Sequence, residues 1–220
     1  MKKKKIKLWK KILIVISIIL LIFIIINVRK IFIISSLNKK IAKYEECQNC
    51  YYLMNQTTLN KKDNKIIEMY KKDNVVKYIT RFGKIITTEF VYPNERKTYL
   101  QIPGRKEMSL QETEQDQRVI PNFLEGLDKI SLETITDYIR IKIITEKLDG
   151  KDCYVIYNSD AKVYFDKDSG LVIKVELFFD DETYTITYEY NFNEVTDKDM
   201  EEPDASDYNV ISSGKLISIY

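Results

Sequence analysis

The chain has 220 residues, 31% of them charged and 45% hydrophobic, with a formal net charge of +2, three cysteines and no histidine. The missing imidazole excludes Ser-His-Asp triads and histidine-ligated zinc, and removes the commonest general base. The near-neutral total hides an asymmetry: residues 1–46 hold twelve basic and two acidic side chains, net +10, and the remaining 23 basic and 31 acidic set the rest at −8, a surface that repels nucleic-acid phosphates.

Residues 1–11 form a basic tail, and Ile12 to Ile26 is an apolar run interrupted only by Ser17. Counted through Val28, residues 12–28 give seventeen uncharged positions, the lower limit for spanning a bilayer. Lys10, Lys11, Arg29 and Lys30 extend the span by snorkelling. Seven lysines precede the run and five basic residues follow it more loosely, so the N-terminus is expected in the cytoplasm and the remainder outside. A cleaved signal peptide is the rival reading, but Ile34-Ser35-Ser36-Leu37 offers no A-x-A-like site and no Cys closes the run. The expectation is an uncleaved, single-pass signal anchor of the cell membrane. Heavy use of Lys, Ile, Asn and Tyr is that of an AT-rich bacterial coding sequence.

Residues 29–46 continue helically, with Ile34, Leu37, Ile41 and Tyr44 at spacings of three and four. They form either a solvated stalk or a helix packed on the domain. From Cys50 the pattern turns to strands: Tyr51 to Met54, Lys65 to Tyr70, Val75 to Phe82, Ile85 to Tyr92 and Lys97 to Ile102, separated by turn residues at the spacing of an antiparallel meander. Glu107 to Gln117 reads as a polar loop. Ile120 to Ile130 reads as a helix, with Ile120, Phe123, Leu124, Leu127 and Ile130 on one face. A second set of strands covers Thr134 to Glu146, Cys153 to Asn158, Lys162 to Asp166, Leu171 to Phe179 and Thr183 to Phe192. Residues 196–220 are an acidic tail with a possible last strand at Lys215 to Tyr220. The expected class is α+β, mainly antiparallel β: residues 47–195 form a strongly curved, unclosed barrel-like sheet with one or two helices in its concavity.

In the second half, Asp149-Gly150-Lys151-Asp152-Cys153-Tyr154-Val155-Ile156, Val163-Tyr164-Phe165-Asp166-Lys167-Asp168-Ser169-Gly170-Leu171-Val172 and Tyr188-Glu189-Tyr190-Asn191-Phe192-Asn193-Glu194-Val195, with the closing Pro203-Asp204, resemble the C-terminal half of LolA-like lipoprotein-carrier domains. The resemblance covers residues 148–204 best and 47–210 loosely. It implies an unclosed β-barrel plugged by helices whose hollow, in carrier members, receives acyl chains, and it brings no catalytic residue and no cofactor. The N-terminal anchor departs from a diffusing carrier, and the cavity arginine of carrier members has no assignable position here.

Little else in the sequence carries chemistry. Asp166, Asp168 and Gly170 match part of a calcium loop, but its twelfth position is Leu177, which cannot ligate. Cys47-Gln48-Asn49-Cys50 follows a helix end, where the carbonyl pole disfavours a thiolate. A structural disulfide from Cys153 to Cys50 or Cys47 is expected, with three free thiols as the alternative. No metal site is expected.

The strand Asp181 to Val195 places Tyr184, Ile186, Tyr188, Tyr190 and Phe192 on one face, with Thr185, Thr187, Glu189 and Asn191 on the other. Burying five such side chains contributes roughly 1.5 to 3 kcal/mol each, so this face is covered. It is either an ordinary filled core or, with Phe123 and Leu127, the lining of an apolar slot. The corresponding functions are non-covalent binding of a lipid, lipoprotein or other apolar ligand, or a structural, interaction or sensor role in the cell envelope. Neither is enzymatic.

Overall fold

The computed structural model describes residues 2–45, 47–58, 64–112, 120–121, 123–124, 140–179 and 182–211, at 2–8, 10, 23 and 58 by their backbone only. Among the described residues, one long α-helix, α1 (Lys2–Glu45), is followed by twelve strands: β1 (Asn49–Thr58), β2 (Lys65–Lys72), β3 (Val75–Phe82), β4 (Ile85–Val91), β5 (Glu95–Ile102), β6 (Arg105–Glu112), β7 (Lys142–Leu148), β8 (Lys151–Tyr157), β9 (Ala161–Asp166), β10 (Val172–Phe179), β11 (Glu182–Phe192) and β12 (Asn209–Val210), with a 3-10 turn at Ala205–Asp207. They form one sheet in the order β12-β6-β5-β4-β3-β2-β1-β11-β10-β9-β8-β7. Every pairing is antiparallel except the short parallel match of β12 to β6. The ends β12 and β7 do not pair, so the sheet stays open, and the long-range closure is β1 on β11, Tyr52 opposite Tyr190 and Met54 opposite Tyr188.

The sheet has two differently covered faces. On the inner one, the C-terminal third of α1 lies with Ile34, Leu37 and Ile41 fully buried in the main cluster beside Met69, Val76, Phe165, Val172, Val175 and Tyr188. These three residues recur at helical spacing and face one way, so residues 29–45 are a packed core helix and the stalk alternative falls. The contact is close at the β9–β10 turn: the Lys40 ammonium donates to Lys167 O, and Gly170, at φ +82°, has so little room that an added Cβ would lie 2.7 Å from Lys40 Cβ.

On the outer face, Phe90 and Tyr99 are buried although no strand covers them. The acidic tail does so. The Lys72 ammonium pairs with Asp197, Lys77 donates to the carbonyls of Asp199 and Glu201 at 2.7 and 3.1 Å, and Tyr99 donates to Glu202 Oε2 at 2.9 Å. Tyr208 then packs edge-on against Tyr99 at 5.2 Å, and β12 pairs with Glu107 and Met108 of β6. The tail is a strap over β2–β6, and its strand is Asn209–Val210; residues 215–220, expected as a strand, lie outside the described residues.

Two further expectations are corrected, and a third falls largely outside the described residues. Residues 107–112 are not loop: β6 pairs with β5 along its whole length. Its inward residues are the buried Glu107 and Ser109, and a strand that turns polar side chains inward shows no apolar alternation. The strand expected from residue 134 starts at Lys142, after helical Arg140, and residues 134–139 lie outside the described residues. Of the helix expected at 120–130 only 120–121 and 123–124 are described, with Phe123 and Leu124 in a turn.

Candidate functional site

The ring-bearing strand β11 delivers most of its predicted lining to one place. Tyr188 and Tyr190 stack at 6.2 Å, Tyr190 and Phe192 at 6.4 Å, and Phe192 meets Tyr44 of α1 at 4.7 Å. Alternation along β11 produces this row, because side chains two apart stand side by side on one face. Phe123 closes on Tyr188 edge-to-face at 6.2 Å, and Ile186 packs against the main cluster. Tyr184 is not brought in: it lies at the rim, against Phe179 at 5.6 Å, and donates to Glu182 at 3.0 Å. Leu127 lies outside the described residues.

Side chains that the sequence reading did not single out complete the lining. Tyr52 of β1 sits opposite Tyr190, their rings 6.2 Å apart, and Tyr78 of β3 sits opposite Met69. In Tyr51-Tyr52-Leu53-Met54 both faces are apolar or aromatic, so alternation could not say which ring points inward. From the other half come Val163 and Phe165 of β9, Ile156 of β8 and Ile141.

A partly open cavity of about 170 Å³ remains at this end of the inner face, lined mostly by apolar side chains, among them Phe123, Leu124, Ile141, Ile156 and Phe165, with Tyr157 and Asn158 also on its wall. It compares with an engineered apolar cavity of about 150 Å³ that takes benzene, and falls short of the roughly 300–1,000 Å³ of ordinary ligand sites. The hollow is therefore mostly filled by α1. Its electrostatics are those of a dry place: burial pushes the Tyr188 phenol up to about 12. Burial first, then the neighbouring Tyr188 and Tyr52, push Tyr190 higher still. The Tyr190 hydroxyl is shielded from solvent with no hydrogen-bond partner among the described residues, an arrangement that costs about 1–3 kcal/mol.

A larger, shallower depression of about 570 Å³ lies at the tips of β3–β4 and β5–β6, bordered by Lys84, Arg105, Lys106 and Asp207. Two of its cations are already engaged, Arg105 with Glu107 at 2.7 Å and Lys106 with Asp207 at 3.3 Å. It lacks the aromatic lining of the inner hollow.

The expected Cys153 disulfide is not formed; all three thiols are free. Cys50 lies in the main cluster, whereas Cys153 packs with Val155 and Tyr164 in a separate one. The register explains the separation: Cys153 is opposite Asp166, which alternates with the inward Phe165, so its side chain points to the outer face.

No family model and no curated protein sequence matches this chain. Solved structures similar to it include an uncharacterized conserved protein from Thermus thermophilus, with 8% identity over 84% of this chain and 98% of that one and a TM-score of 0.47. LprF from Mycobacterium bovis has 8% identity over 74% and 93%, with a TM-score of 0.40. A putative outer membrane lipoprotein-sorting protein domain from Vibrio parahaemolyticus has 11% identity over 76% and 95%, with a TM-score of 0.30. The open antiparallel sheet holding a helix is the architecture that the LolA-like resemblance implies.

Proposed function

We propose that this chain is a single-pass, membrane-anchored protein whose C-terminal domain lies outside the cytoplasm and binds a lipid, lipoprotein or other apolar ligand non-covalently on the inner face of its open sheet. The observation that carries this reading is the continuous aromatic lining Tyr52, Tyr188, Tyr190, Phe192 and Phe123, ending in an apolar cavity and holding a buried phenol with a free donor. Rings supply apolar area, and the hydroxyl supplies a polar contact for a ligand's ester or amide. Residues 11–45 form a helix long and apolar enough to cross a membrane, which supports the anchor. An acyl chain needs more than the cavity's 170 Å³, so α1 has to shift for it to enter. That same small volume favours the second reading, a structural or interaction protein of the envelope with a filled core.

The test is photolabelling of the full chain in lipid nanodiscs by a phospholipid with a diazirine at the end of one acyl chain. Crosslinks at Phe123, Val163 or Tyr188, competed away by unlabelled phospholipid, support ligand binding. Crosslinks confined to residues 12–28 refute it.

A further inference from the structure

The junction between α1 and β1 brings two thiols together. Cys47 follows the last turn of α1, its amide donating to Tyr44 O at 3.1 Å, and Cys50 is the second residue of β1, on the inner face. The bend at Gln48 turns both side chains into the main cluster: Cys50 is 2% exposed, and the half-buried Cys47 packs against it. The Cys47 thiol donates to Asn49 O at 3.1 Å, and it lies near enough to Cys50 for its charge to bear on the Cys50 thiol. Lys71, directly opposite Cys50 on β2 and itself buried, places a positive charge beside them.

We propose that Cys47 and Cys50 are a redox-active dithiol that closes reversibly into an intramolecular disulfide by exchange with a low-molecular-weight disulfide, Cys47 reacting first and Cys50 resolving. In the first step the Cys47 thiolate attacks one sulfur of the small disulfide. A Cys47 mixed disulfide forms, the S–S bond of the reagent breaks, and the first small thiol leaves with the proton that Cys47 gave up. In the second step the Cys50 thiolate attacks the Cys47 sulfur. The Cys47–Cys50 bond forms, the mixed disulfide breaks, and the second small thiol leaves with the Cys50 proton. Two protein thiols are oxidised and one small disulfide is reduced to two thiols, so electrons and protons balance.

The surroundings fix this order of events. Cys47 is the accessible partner, and Cys50 is sealed from external reagents. Burial pushes the Cys50 thiol up to about 12, the charge of Cys47 adds to the rise, and Lys71 opposes it. Once Cys47 is held in a neutral mixed disulfide, burial and Lys71 persist but the charge of Cys47 is gone, so the Cys50 thiolate forms more readily than it does in the dithiol. The bond would tie the end of α1 to the start of β1 beside the Tyr44–Phe192 contact, fastening the helix that fills the hollow.

The experiment equilibrates the full chain in detergent micelles with graded mixtures of reduced and oxidised glutathione, quenches with acid, alkylates the denatured protein and digests with trypsin. The peptide 44–61 contains both cysteines. As the oxidised fraction rises, it is expected to lose both alkylation sites together and to become two hydrogens lighter, while Cys153 stays alkylated. Cys47→Ser is expected to leave Cys50 unmodified, and Cys50→Ser to stop with glutathione on Cys47. A 44–61 peptide that keeps two alkylated thiols across the whole range overturns the proposal, as does glutathione reaching Cys50 in Cys47→Ser as fast as it reaches Cys47 in Cys50→Ser. The wild-type titration decides the matter even where a serine variant does not fold.

Discussion

The close approach of α1 to the β9–β10 turn can be tested with two glycines that differ in one respect. Gly170 and Gly150 both sit in left-handed backbone, at φ +82° and +81°, so alanine at either costs about 1–2 kcal/mol in conformational strain. A Cβ at Gly150 meets no atom within 4 Å, whereas at Gly170 it would lie 2.7 Å from Lys40 Cβ and 3.1 Å from Leu37 O. Neither obstacle is the end of a flexible side chain. With carbon atoms at rest near 3.5–4.0 Å, α1 has to retreat by roughly 1 Å. Overpacking of this kind adds about 1–3 kcal/mol, giving about 2–5 kcal/mol for Gly170→Ala against about 1–2 for Gly150→Ala. Guanidinium unfolding of the full chain in mild detergent, followed by tyrosine near-UV dichroism, reads the difference as a shift in midpoint. Destabilisation of the two variants within about 0.5 kcal/mol of each other, the usual scatter for surface changes, would refute the packed-helix account. Because the retreat opens the hollow, Gly170→Ala should also raise acyl photolabelling at Tyr188.

Leu37→Ala in the same unfolding assay should cost about 2–5 kcal/mol, whereas Phe32→Ala, on the exposed side of α1 at 72% exposure, should stay within about 0.5 kcal/mol. Tyr208→Ala removes the ring against Tyr99 and should cost about 1–2 kcal/mol, with faster amide exchange at Met108 and in the strap as its signature. The Thr196 hydroxyl and amide donate to Asp199 at 2.7 and 2.8 Å and hold its carboxyl below the usual range. A depressed carboxyl contributes stability above its unfolded pKa, near 3.9, that is lost as pH falls through the lower folded value. Stability should therefore fall with pH more gently below about 4 in Thr196→Val than in wild type; an unchanged profile would remove the clasp.

The parts of this fold that are written in local periodicity could be read from sequence, and the parts that depend on a distant partner could not. The alternation of β11 and the turn residues at Asp73-Asn74, Gly83 and Gly150 located the strands and hairpins, because period and turn chemistry are properties of short windows. Ile34, Leu37 and Ile41 announced a helical face but not what it meets, since its partners Phe165, Val172 and Tyr188 come from the far end of the chain. The strap failed for the same reason. Its acidic residues read as solvated until the register of β2–β6 brings Lys72, Lys77, Lys97 and Lys106 to one outer face. Tyr184 shows the converse limit: alternation assigned it to the inner face, but its position at the rim follows from where β11 begins relative to the core.

The long apolar segment and the plug are one helix, and that constrains how the two can move relative to each other. Between Val28, where the uncharged run ends, and Ile34, the first fully buried residue of the core, lie five residues of unbroken helix, a rise of about 9 Å over six steps of 1.5 Å. A flexible linker would let the sheet tumble free of the apolar segment, but a helix this short transmits both position and rotation. The side chains of residues 12–22 and 24–26 are turned outward without protein cover, and those of Ile34, Leu37 and Ile41 are buried. A residue inserted within the buried stripe adds a rotation of about 100° and would thus swing part of the stripe off the sheet, whereas one inserted before the stripe turns only the apolar segment. Inserting one alanine between Arg29 and Lys30 moves only the exposed segment relative to a fixed core, whereas inserting it between Ile34 and Leu37 breaks the stripe. The first insertion should preserve the unfolding midpoint, and the second should cost at least as much as Leu37→Ala. Equal effects would show that the helix and the sheet are not held in the register described.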